Sequence, residues 1–197
     1  DYEQQEQELP GLQSKMTPQP DCGETSYKGH ERLKGYKMLV TGGDSAIGRA
    51  AAIAYAKEDA DVAINYLPSE EDDAQEVKQV IEDAGQKAIL IPRDLRDEQF
   101  NYDMVETAYN ELGGLDNVTL VAGHQQYHDD IHGFNTEAFA ETFETNVYPV
   151  FWTVQKALEY LKPGASITTT SPVQGYNPSP ILHDYAASKA AIISLTK

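Results

Sequence analysis

Tyr185 and Lys189 stand four residues apart, the spacing that places two side chains on one face of a helix. A lysine ammonium beside a phenol stabilises the phenolate and lowers the tyrosine pKa from its ordinary value of about 10, so the pair could move a proton at neutral pH. In a chain of 197 residues with 12 tyrosines, one such pair is no surprise by chance, so its place among other motifs carries the argument. Upstream, Thr41-Gly42-Gly43-Asp44-Ser45-Ala46-Ile47-Gly48-Arg49 separates an apolar run from a helical stretch. A small-residue turn there offers helix N–H groups and the positive end of the dipole to a dinucleotide pyrophosphate. His124, His128 and His132 recur every fourth residue, with Asp129 and Asp130 between them. On one helix they would begin a zinc or nickel site. The stretch reads as an irregular loop, so solvated or ligand-side histidines are expected and no metal is assigned.

These groups need a frame to hold them. Short apolar runs at residues 37–41, 61–66, 87–91, 117–121 and 165–170 read as strands, with amphipathic stretches between them. Helices are expected over 47–57, from a Ser69 cap through Ala84, over 98–112, from an Asn135 cap to about Leu161, and over 185–197. The carboxylates at 70–73 fall in a first turn, where the dipole favours them. Alternation of this kind implies an α/β fold, a Rossmann-type doubly wound parallel sheet with helices on both faces. The sequence divides into an extended arm over residues 1–32, rich in Gln, Glu, Pro and Gly, and a nucleotide-binding domain over 33–197. The arm either lies across its own domain, reaches a neighbouring subunit, or frays.

The bulk composition excludes several classes. Hydrophobic residues make up 40% and charged residues 24%, enough for one packed domain. Cys22 is the single cysteine, so neither an internal disulfide nor a thiolate cage can form, and a reducing, cytoplasmic setting is expected. Thirty-two acidic residues against 15 basic ones give a net charge of −17, which argues against nucleic-acid and anionic-membrane partners. No apolar run reaches membrane-spanning length, and the N-terminal residues have no signal-peptide character.

Thr41-Gly42-x-x-x-Ala46-x-Gly48, followed downstream by Asn146 and then Tyr185-x-x-x-Lys189, resembles the motif order of the short-chain dehydrogenase/reductase family. From about Lys15 to the end the chain is similar to its bacterial branch with a long N-terminal arm, described as general-stress oxidoreductases. The resemblance implies NAD or NADP as cofactor, hydride transfer to or from an alcohol or carbonyl substrate, and a homotetramer. By the same resemblance Tyr185 is the acid/base, Lys189 holds the nicotinamide ribose and assists it, and Asn146 keeps a proton relay in a locally opened helix. Pro149, which removes an amide donor to the carbonyl of Thr145, fits such an opening. Cofactor contacts are implied at Gly42, Asp44, Ser45, Ala46, Ile47, Gly48, Asn65, Asp94, Leu95, Ala122 and Gly123, besides Tyr185 and Lys189. Gln174 and Tyr176 are the candidate substrate contacts. The tetramer interface is expected on the helices over 136–161 and from 185, through Phe139, Phe143, Val147 and Val150.

The family pattern is broken at several points. Pro172 stands where relatives carry a serine, Ala46 replaces the middle glycine, and Leu120 and Val121 replace two asparagines before Ala122-Gly123. The second strand ends Asn65-Tyr66-Leu67, with Arg49 the expected nearby cation, which leaves NAD against NADP open. Relatives continue past the position of Lys197 with a sixth strand and a substrate lid, so the chain reads as incomplete at its C-terminus. A catalytically impaired nucleotide-binding or subunit-interaction module is therefore the alternative to a working oxidoreductase.

Overall fold

In the computed structural model, which describes residues 4–8 and 10–197, strands and helices alternate as expected. In order they are β1 (Lys37–Thr41), α1 (Ala46–Lys57), β2 (Asp61–Tyr66), α2 (Glu71–Asp83), β3 (Ala88–Pro92) and α3 (Glu98–Leu112). The second half runs β4 (Asn117–Leu120), α4 (Thr136–Asn146), α5 (Tyr148–Ala157), β5 (Ser166–Thr169) and α6 (His183–Leu195). All strand pairs are parallel, in the order β3-β2-β1-β4-β5. This is the Rossmann-type sheet that the alternation predicts.

Both faces of the sheet are covered, which explains the near-continuous apolar strands. Leu39, Ala63 and Val118 pack on one face with Phe100, Met104 and Val105 of α3 and Ile192 of α6. Met38, Val40, Val62 and Ile64 pack on the other with Ile53 of α1 and Val77 and Ile81 of α2. Each Val, Leu, Ile, Phe or Met among them contributes about 1.5–3 kcal/mol on full burial. Sheet order reverses at β1, whose last residue Thr41 is level with Asn65 of β2 and Leu120 of β4. Such a switch point opens a crevice at the carboxyl ends of the strands.

Two helix expectations need correction. Ser69 does not cap α2; it lies in a 3-10 turn over Pro68–Glu70, and α2 starts one residue later from Glu70. The stretch from Asn135 is not one helix to Leu161. Asn135 does cap it, accepting from the Ala138 N–H at 2.7 Å, but the helix breaks at Val147 into α4 and α5, with Pro149 in the first turn of α5. Pro149 cannot donate to the turn before it, so the ladder stops there.

From Gln13 onward the arm lies on its own domain. Lys57 of α1 donates to the carbonyls of Gly23, Glu24 and Tyr27 at 2.7, 2.6 and 3.1 Å. Glu58 accepts from the backbone N–H groups of His30 and Arg32 at 2.9 and 3.0 Å and from the Tyr27 hydroxyl. A Cβ at Gly29 would fall 1.5 Å from the Lys57 carbonyl oxygen, so only glycine lets the arm come this close.

Candidate active site

The turn between β1 and α1 crosses the carboxyl edge of the sheet. Gly42 holds a left-handed φ of +62°, and a Cβ there would meet the Ala122 backbone at 3.0 Å. A Cβ at Gly48 would fall 1.8 Å from the Gly42 oxygen, so Gly48 exists to let α1 pack against the turn. Ala46 also adopts a left-handed φ, +46°, a conformation that costs a non-glycine residue about 1–2 kcal/mol.

Beside this turn lies a cleft of about 570 Å³, lined by Gly42, Asp44, Ser45, Ala46 and Ile47 from the turn, Asp94 and Leu95 after β3, and Ala122 and Gly123 after β4. The structure thus brings nine of the expected cofactor contacts to one crevice. Gly48 stays behind them in the packing. Asn65 is a correction: it is buried, and its amide donates to the carbonyls of Ile91 and Arg93 at 3.1 and 2.9 Å, stitching β2 to the end of β3. Tyr66, Leu67 and Glu70 line the cleft there instead.

Charge in the cleft differs from expectation too. Arg49 does not face it as a free cation. The guanidinium is buried between Glu24 of the arm at 2.7 Å and Glu76 of α2 at 3.1 Å. Arg93 and Arg96 reach the lining instead, and Arg96 already holds the carboxylates of Asp94 at 2.6 Å and Glu141 at 3.1 Å. Asp44 is buried with one carboxylate oxygen lacking any hydrogen-bond partner among the described residues. Burial raises its pKa, and burial together with Asp44 pushes Glu70 up to about 7. An orphaned acceptor in a crevice fits a ligand rich in hydroxyl donors, such as a ribose.

Asn146 and Lys189 stand at the β4 end of the cleft. Asn146, the last residue of α4, accepts from the His124 N–H at 2.6 Å, donates to the His124 carbonyl at 2.9 Å and donates to Ser188 Oγ at 3.0 Å. It thereby clasps the loop after β4 to α6. Lys189 is buried, and its Nζ would lie 3.3 Å from a Cβ at Gly123, so the missing side chain leaves that ammonium beside the lining. The same Nζ donates to the Thr170 carbonyl at 3.3 Å.

Tyr185 and Lys189 share a face of α6, with the ammonium 5.4 Å from the ring centroid. The expected lowering of the phenol is not found. Burial pushes the Tyr185 phenol up, and burial pushes Lys189 down to about 8. The ammonium lies over the ring rather than at the oxygen, so desolvation outweighs attraction for both groups.

At the missing serine, Pro172 precedes a 3-10 turn over Val173–Gly175. Ser171 turns away to donate to the Lys189 carbonyl at 3.0 Å. Gln174 accepts from the Ser179 N–H at 2.6 Å, bracing its own loop, while Tyr176 is exposed. Neither belongs to the cleft lining. The three histidines do not converge. His124 joins the cleft, His128 stacks on Phe134 at 3.8 Å, and His132 pairs with Asp130 at the surface. Of the substituted asparagine positions, Leu120 is core, and the Thr41 hydroxyl accepts from the Val121 and Ala122 N–H groups at 3.1 and 3.3 Å.

The comparisons agree with this geometry. The family model for short chain dehydrogenase matches residues 37–197. Uncharacterized oxidoreductase YhxD of Bacillus subtilis is 60% identical over 196 residues, covering all of this chain and 66% of the relative. General stress protein 39 of the same organism is 44% identical over 188 residues, covering 95% of this chain and 65% of the relative. The chain thus spans about two thirds of the length of the curated relatives it matches. Among solved structures, a short chain dehydrogenase from Burkholderia cenocepacia in complex with NADP superposes with a TM-score of 0.78 at 36% identity, over 84% of this chain and 67% of that one. With its matched motifs on one edge of a parallel sheet, the chain belongs to the short chain dehydrogenase family.

Proposed function

We propose that the protein is an NAD(P)-dependent oxidoreductase acting on an alcohol or carbonyl small molecule. The observation that carries this reading is the shared edge: the cleft of the glycine turn reaches Gly123, which lies against Lys189, one helical turn from Tyr185. The relative solved with NADP supports the cofactor class. The glycine turn would take the pyrophosphate, and Asp44, whose second oxygen is orphaned, would accept from a ribose hydroxyl. When bound, the nicotinamide supplies or accepts the hydride. Tyr185 passes the matching proton at its hydroxyl, Lys189 steadies that exchange as an ammonium, and Asn146 keeps the loop after β4 in register with α6. The protein is further proposed to be cytoplasmic and homotetrameric. No helix among the described residues is long and apolar enough to cross a membrane.

Absorbance of the reduced nicotinamide, followed with a panel of alcohols, aldehydes and ketones, tests the reading. Pro172 leaves no hydroxyl donor where charge develops on the substrate oxygen, and one such donor is worth about 100- to 1,000-fold. Slow turnover is expected in a form of the relatives' full length, rising at least about tenfold in Pro172→Ser, the lower figure allowing for Tyr185 on the same oxygen. Tyr185→Phe abolishes it. Turnover indifferent to both changes would leave the impaired binding module as the better description.

A further inference from the structure

The glycine turn is not fixed by its own helix cap. Ser45, the N-cap of α1, makes no side-chain capping bond. Instead the N–H of Ala46 donates to Oε1 of Gln13, 2.7 Å away and 33 residues upstream. Gln13 is only 6% exposed. Its own N–H and that of Ser14 donate to the Asp73 carboxylate at 2.6 and 3.1 Å. Asp73 is fully buried in the first turn of α2, so arm, turn and helix meet at one glutamine. Two residues earlier the arm enters the cleft, where Pro10 and Gly11 form part of its wall.

We propose that the N-terminal arm is a working part of the nucleotide cleft, with Gln13 as a positioning residue that holds the glycine turn in its binding geometry. The inference rests on the reading that this cleft takes NAD or NADP. Alanine resists a left-handed φ, and Ala46 keeps one while its N–H is bound by the arm. A neutral amide carbonyl can hold that N–H without adding negative charge where a pyrophosphate would lie. Release of the bond lets the backbone relax and turns the neighbouring amides of α1 away from the phosphate. The residue touches no cofactor itself; it acts through Ala46.

Calorimetric titration of the purified chain with NAD and NADP gives the test, using Gln13→Met, which keeps the buried stem and removes the acceptor, beside Gln13→Ala. Affinity is expected to fall about five- to tenfold in either. In an Ala46→Gly background the same change costs about twofold or less, because glycine takes the conformation without help. Equal affinity for wild type and Gln13→Met overturns the inference, and so does an equal loss in both backgrounds. Hydrogen exchange over residues 42–48 of the cofactor-free protein separates this from the parent reading. If wild type binds neither dinucleotide, the functional reading falls. Exchange then judges the Gln13–Ala46 bond alone: faster in Gln13→Met, it upholds the hold on the turn, and unchanged, it removes it.

Discussion

Lys189 shows most plainly how burial sets the chemistry of the site. Its amine is nearly enclosed and donates to the Thr170 carbonyl, and its pKa falls to about 8. Below pH 8 folded and unfolded chains both carry the proton, and folding bears the full cost of burying a charge. Between about 8 and the unfolded lysine value of about 10.4, the unfolded chain binds more protons. Stability contributed by this group therefore rises with pH across that window, by an order of 3 kcal/mol at most. Denaturant unfolding of the cofactor-free protein at pH 7.5 and 9.5 measures it against Lys189→Met, which cancels titration elsewhere. The gap between the two proteins should narrow at the higher pH, with the variant more stable at the lower one. A gap that does not move with pH would mean that the amine is solvated in both states. Tyr185, pushed up by burial, stays a phenol throughout the neutral range, so it suits proton donation to a carbonyl better than abstraction until a ligand or a changed lysine environment lowers it.

At the scale of elements, α6 is aimed by a polar contact that no periodicity reveals. Asp184, next to Tyr185, is fully buried and accepts from the hydroxyl of Thr142 on α4. Its other oxygen has no hydrogen-bond partner among the described residues, and His128 Nε2 lies 3.9 Å away. Thr142→Val keeps the shape and removes the donor, so the carboxylate is left buried with that imidazole alone. Destabilisation of about 2–3 kcal/mol is expected in denaturant unfolding; a cost below about 0.5 kcal/mol would show that another donor takes over. This contact also marks the limit of sequence reading. β1, β2 and α3 were legible to the residue because apolar runs and end signals record local burial, and the parallel sheet with helices on both faces followed from alternation. The break between α4 and α5 was legible only as Pro149. Arg49 misled, because Glu24, the partner that holds its buried guanidinium, lies 25 residues back in a stretch with no periodicity. Gln13 was invisible for the same reason: its partners Asp73 and Ala46 stand 60 and 33 residues away. Asn65 sat at the expected strand end, yet its side chain turned inward to satisfy neighbouring carbonyls, a choice the residue type leaves open.

Over the whole molecule, α5 has one apolar stripe too many for a single chain. Val150, Thr153 and Ala157 face the core. Tyr148, Phe151 and Leu158 lie on the opposite side, Phe151 52% and Leu158 64% exposed. Helical spacing sets those three on one face, and α4 adds the exposed Phe139. The contact positions expected from sequence need revision accordingly. Val147 and Val150 are buried within the chain, so the candidate interface is built from Tyr148, Phe151 and Leu158 instead. Contiguous exposed aromatics and leucine on one helix face call for a partner surface. Association has to overcome a net charge of −17 on every chain, a repulsion that reaches about 10 Å at 0.1 M salt and about 30 Å at 0.01 M. Light scattering at micromolar concentration is therefore expected to give a tetramer mass at 0.15 M salt and a lower mass at 0.01 M. Phe151→Glu together with Leu158→Glu should lower the mass at both, since each buries a carboxylate in the proposed contact. A monomer at all salt concentrations, or a tetramer indifferent to both substitutions, would place the interface elsewhere or remove it, leaving the stripe on α5 to be covered by some other segment.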